Sequence, residues 1–139
     1  MAGILGRMPD ESAPQTVEVK FDVVGWDEVA YDEPVDGPKL TRITIRKTYR
    51  GVLDGTGVAE VLAARGAEGS GYLASERIVG TLDGRRGDFV LQHGGLDDRG
   101  RQNTFGTIVP NSGTGELSGL AGQVTEVGHS GLTLTYTIR

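Results

Sequence analysis

Glu60, Glu76 and His93 form the set of side chains most able to move a proton in this 139-residue chain, with Lys47 and Tyr49 spaced to join them. Pairing arithmetic brings them together. A two-residue turn at Asp54-Gly55 sets Tyr49 opposite Glu60, Lys47 opposite Leu62 and Ile45 opposite Ala64, and directly opposite residues share a face. Ile43 and Ile45 belong inside, so Lys47, Tyr49 and Glu60 follow them. Across "LDGRRG", Glu76, Ile78, Phe89, Leu91 and His93 share one face, and Arg77, Asp88 and Gln92 take the other. A five-residue loop at 66–70 then places Glu60 against Glu76. Two neighbouring carboxylates in apolar surroundings resist joint ionisation, so one pKa rises, which is the basis of a general acid/base pair. The competing reading is a buried structural network in which Lys47 neutralises one of them.

His93 reads either as an acid or base at a barrel mouth or as a satisfied hydrogen bonder beside Gly94 and Gly95. His129 falls in a turn and reads as solvated. With no cysteine and one inward histidine, no metal site is expected, since such a site needs at least three convergent ligands. "GTGVAE" and "GTGELS" miss the last glycine of a dinucleotide fingerprint and sit at hairpins, and no Gly-x-Ser-x-Gly elbow occurs. Any activity is therefore expected to need no cofactor. Trp26 and Tyr31 lie in "WDEVAYDEPVDGPK", too long for a hairpin turn and read as a lid over one mouth; Trp26 alternatively plugs that end. Tyr72, Asn103 and Tyr136 could supply hydrogen bonds to a pocket, or fill core space with a hydroxyl reaching water.

The elements that must hold these residues are strands. "GLTLTYTIR", "TRITIRKTYRG" and "VEVKF" alternate with a period of two, buried on one side and wet on the other. "GVAEVLAARGAEG" has helix-favouring residues but follows a strand directly between glycine turns, so it is assigned as a strand. The 23 glycines are more than double the usual share of roughly 7%. The phrase Gly-x-Leu-Asp-Gly occurs twice, in "GVLDGTG" and "GTLDGRRG", each read as an Asp-Gly hairpin turn; "LDDRG" and "VGHSG" mark two more. Eight strands result, at 17–25, 40–52, 57–65, 71–82, 87–94, 102–110, 115–126 and 131–138. An all-β, eight-stranded antiparallel up-and-down barrel with a central cavity removes every sheet edge; a two-sheet sandwich is the alternative.

The blocks "WDEVAYDEP…GPKLTRITI", "GYLASERIVGTLDGRRGDFVLQHGG" and "VPNSGTGELSGLAG" resemble a bacterial uncharacterised-domain family whose fold is similar to the allene oxide cyclase barrel. The resemblance covers roughly residues 17–139, leaving 1–16 as an N-terminal tail. It implies a barrel with a cavity and no established reaction.

A net charge of −5 with no long basic run argues against nucleic acid, and no segment approaches a membrane span. A cytoplasmic protein is expected, compatible with a homo-oligomer. Three functions compete. One is a cofactor-free isomerase or cyclase of a small apolar molecule, another a lipocalin-like binder without chemistry. The third is a structural barrel filled by its own side chains.

Overall fold

The computed structural model describes residues 13–125 and 127–139. Eight strands run in order β1 (Gln15–Asp32), β2 (Lys39–Arg50), β3 (Leu53–Arg65), β4 (Gly69–Leu82), β5 (Arg85–Asp98), β6 (Arg101–Ile108), β7 (Leu120–Thr125) and β8 (Gly131–Ile138). Each pairs antiparallel with the next, and β8 returns to β1 along Gln15–Lys20, closing the ring. Among the described residues there is no α-helix, only a 3₁₀ turn at Gly115–Leu117. The all-β expectation and the eight antiparallel strands hold, and residues 57–65 are strand as assigned. No helix of the described residues is long and apolar enough to cross a membrane.

Several boundaries differ from expectation. The tail expected over 1–16 lies outside the described residues as far as 12, and Gln15 and Thr16 already belong to β1. The supposed lid is mostly strand: β1 continues to Asp32, leaving only 33–38 as a connection. The strand expected at 115–126 begins at Leu120. The segment before it instead straps the edge of β5 that β6 is too short to reach. There, Thr114 N donates to Asp88 O at 2.9 Å, and Val90 N donates to Ser112 Oγ at 3.0 Å.

The repeated phrase does not make two equivalent turns. Asp83 and Gly84 do form a two-residue turn, with φ of 49° and 82°, both positive as that turn requires. Asp54 and Gly55 lie inside β3, and the first hairpin turns at Gly51-Val52 instead. The two copies pair with each other: Leu53 sits opposite Leu82 and Gly55 opposite Gly80. The glycines permit this contact, because a Cβ on Gly55 would lie 2.1 Å from Val79 O and one on Gly80 2.0 Å from Asp54 O.

The interior changes character along the strands. Toward one end it is packed with bulky groups, among them Phe21, Leu53, Leu82, Phe89 and Leu91. Toward the other it is lined by smaller ones, Ile43, Ala59, Val61, Ala63 and Ala74. A layer of polar side chains separates the two.

Candidate functional site

That layer is built by parity. On β2 the inward positions read Thr41, Ile43, Ile45, Lys47 and Tyr49, so Lys47 is the first polar group below the apolar wall. On β4 they read Ala74, Glu76 and Ile78, and on β5 Phe89, Leu91 and His93. Glu76 is fully buried, and Lys47 and His93 nearly so. Lys47 Nζ donates to Glu76 Oε1 at 2.9 Å, and the Tyr49 hydroxyl donates to Glu76 Oε2. His93 Nε2 lies 3.2 Å from Glu76 Oε1.

Burial by itself would raise the Glu76 pKa, but His93, the Lys47 charge and Tyr49 together hold it below the ordinary carboxylate value. Glu76 is therefore an anion at neutral pH, which makes His93 Nε2–H the donor toward it. In a neutral His93, Nδ1 then accepts from the Tyr72 hydroxyl, 3.3 Å away, with the two rings edge to face. Burial first, and then the Glu76 charge, raises the Tyr72 and Tyr49 pKa values, so both stay protonated. Lys47 also lies over the Phe21 ring at 4.4 Å, a contact invisible without the β1 register.

Above this layer opens a pocket of about 370 Å³ with mostly apolar walls, including Ile43, Ile45, Ala59 and Val61. Lys47 and His93 reach its floor, Tyr72 its wall and Trp26 its mouth. His129, expected to be merely solvated, also borders the mouth.

Other expected members lie elsewhere. Glu60 is on the outer face, opposite Thr44 and Ser75, and accepts from the Thr44 hydroxyl at 2.9 Å. The Glu60–Glu76 pair does not exist, because the β2–β3 turn falls at Gly51-Val52; Tyr49 meets Gly55, and Ala59 is the residue opposite Glu76. Asn103 is also outside, opposite Leu96, while its neighbours Gln102 and Thr104 line the pocket. Tyr136 is buried in the closed end, its hydroxyl donating to Gln15 Oε1 at 3.4 Å. Tyr31 follows a second irregularity of β1 and joins an outer groove with Leu40, Leu62 and Phe105.

Sequence reasoning missed the pocket's rim. A register shift between Val23 and Gly25 switches the parity of β1, so Trp26 faces Ile45 and Glu28 faces Ile43. Arg65 grips Glu28 with two hydrogen bonds of 2.5 and 2.9 Å, and Thr41 Oγ1 and Trp26 Nε1 donate to it at 2.7 and 3.1 Å. The Arg65 bonds dominate in lowering the Glu28 pKa to about 2, against the opposing effect of burial. Among the described residues no group of three or more His, Asp or Glu is arranged to hold a metal ion.

A closed antiparallel ring with an apolar pocket floored by a buried ionic cluster is the class of protein that fold and site define. The chain belongs to the family described as protein of unknown function DUF3224, whose model matches residues 17–139. It is similar to a solved DUF3224 protein of unknown function from Shewanella oneidensis MR-1, with 35% identity, a TM-score of 0.77, and coverage of 90% of this chain and 96% of that one. No curated protein matches the chain.

Proposed function

We propose that the ring acts as a barrel whose cavity binds a small, largely apolar molecule and isomerises it by moving a proton, without a cofactor. The observation that carries this reading is the pocket floor. Apolar walls of about 370 Å³ end on Lys47 and His93, both tied to a buried anion beneath them. Apolar walls favour a hydrocarbon body, and a few convergent polar groups orient one polar end. A carbonyl oxygen set against Lys47 would be polarised by its charge. The adjacent carbon would then face His93 Nδ1, which takes a proton when Tyr72 swings aside, while Glu76 stabilises the imidazolium formed. Return of the proton to a different carbon gives an isomer; attack of the enolate carbon on a second carbonyl of the same molecule, with His93 returning the proton to the alkoxide formed, gives a ring. The shape of allene-oxide-cyclase-like barrels suits this reading, though only as an analogy of fold.

A non-catalytic, lipocalin-like binder is the second reading. It is favoured by Glu76, whose two oxygens are already engaged by Lys47, His93 and Tyr49.

Trp26 is the single tryptophan and stands at the mouth, so its fluorescence reports occupancy. Titration with 2-decanone should quench or shift it in the wild type. In D₂O the protein should also speed deuterium uptake at the carbons beside the carbonyl, and His93→Gln should abolish uptake while retaining the fluorescence response. Binding without uptake supports the second reading. No response to decanone or to a medium-chain carboxylate such as decanoate overturns both.

A further inference from the structure

We infer that the outer face of β2–β6, at the end of the ring where the pocket opens, is a docking surface for a second copy of this chain. The observation is an exposed apolar patch. Leu62 lies opposite Leu73, Leu73 opposite Gly94, and Gly94 opposite Phe105, a continuous outward row across four strands. In the adjacent row Leu96 lies opposite Gly71. Leu62, Leu73, Leu96 and Phe105 are 49%, 62%, 60% and 50% exposed.

These groups are seated rather than loose. A Cβ on Gly94 would fall 2.6 Å from Phe105 Cζ, and one on Gly71 2.9 Å from Leu96 Cδ2, so the glycines let both side chains lie on the sheet. With Tyr31 and Leu40 they frame a groove of about 430 Å³ into which side chains of a partner could insert.

Three arguments select a second copy as the occupant. With Val29 and Tyr31 added, the patch leaves on the order of 600 Å² of apolar surface open, at the upper end of the roughly 300–600 Å² that the largest patch of a monomer reaches. That approaches the roughly 800 Å² per partner of a stable interface. Next, β2–β5, which carry most of the patch, are paired along both sides, so over those strands a partner meets the sheet face to face and not as an added strand. Lastly, the patch carries both signs of charge: Arg42 sits in the apolar row between Val29 and Leu62, and Asp27 and Glu60 flank Thr44 in the row beside it. None of the three has an ion-pair partner among the described residues. A second copy brings both signs to that border. An anionic lipid surface is repelled instead by a chain of net charge −5.

Sedimentation equilibrium over roughly 1–100 µM tests the inference directly. The wild type should pass from the mass of one chain to that of two. Leu73→Glu and Arg42→Glu should each weaken association at least tenfold, with unchanged circular dichroism and thermal melts. Val79→Glu, an exposed position outside the patch, should associate as the wild type does. A wild type that stays monomeric throughout overturns the inference, including one that takes up lipid vesicles or decanone through this face. Undiminished dimerisation of either patch variant also overturns it.

Discussion

Glu28 and Glu76 show how one residue type takes two characters in the same ring. Glu76 is walled in, and its charge is balanced within the core by Lys47. Glu28 sits at the rim, where Arg65 balances it while remaining 46% exposed. Its titration gives a clean prediction. The folded pKa of about 2 lies below the ordinary 4.5, so Glu28 contributes stability that is fully present above pH 4.5 and lost as pH falls from there toward 2. Because solvent screens the Arg65 pair, the contribution is about 1 kcal/mol. Glu28→Gln should therefore melt below the wild type at neutral pH, and the gap should close as pH falls from 4.5 to 2. Thermal melts of both proteins across that range check it; a gap independent of pH would show that the rim pair contributes nothing.

At the scale of the element, β3 decides the site. Its sequence "GVAEVLAA" is apolar throughout on one parity, Gly57, Ala59, Val61 and Ala63, and apolar but for Glu60 on the other, with Val58, Leu62 and Ala64. Hydrophobic alternation therefore separates the two faces by one residue only, and turn chemistry points to the Asp54-Gly55 register instead. The observed register resolves the choice through size. A Cβ on Gly57 would lie 2.4 Å from Glu76 Oε2 and 2.9 Å from the Tyr49 ring, so only glycine leaves room for that pair. Gly57→Ala should cost about 1–3 kcal/mol by overpacking. Val58→Ala, on the opposite parity and partly exposed, should cost much less. Equal losses in denaturant melts would refute the assigned role of Gly57. By contrast, β4 and β5 were readable in advance. Ile78, Phe89 and Leu91 leave no doubt about the apolar face, and Asp83-Gly84 turns where its chemistry says, so Glu76 and His93 fall inside.

At the scale of the whole molecule, closure depends on the last strand meeting the first. β8 carries Leu132, Leu134, Tyr136 and Ile138 into the packed end and pairs with both β1 and β7. Removing residues 131–139 should strip those four core side chains and leave two unpaired edges. The shortened chain should then lose its cooperative thermal transition by circular dichroism; a melt like that of the full chain would show the ring closing without β8. The period-two alternation and the glycine turns were enough to determine an all-β chain of eight antiparallel strands, because both are local properties of the backbone. They also placed Lys47, Tyr49, Glu76 and His93 inside, since each shares parity with unambiguous apolar neighbours. Tertiary structure alone decided that Glu60 and Asn103 face out, that Tyr136 belongs to the closed end, and that Glu28 and Arg65 form the rim. Glu60 faces out because a turn is shifted along the chain, the Glu28 rim follows from register irregularities in β1, and Asn103 and Tyr136 are set by how β6 and β8 pair with their neighbours. A shift of one residue exchanges the two faces of a strand, and which register is adopted depends on what must fit across the ring.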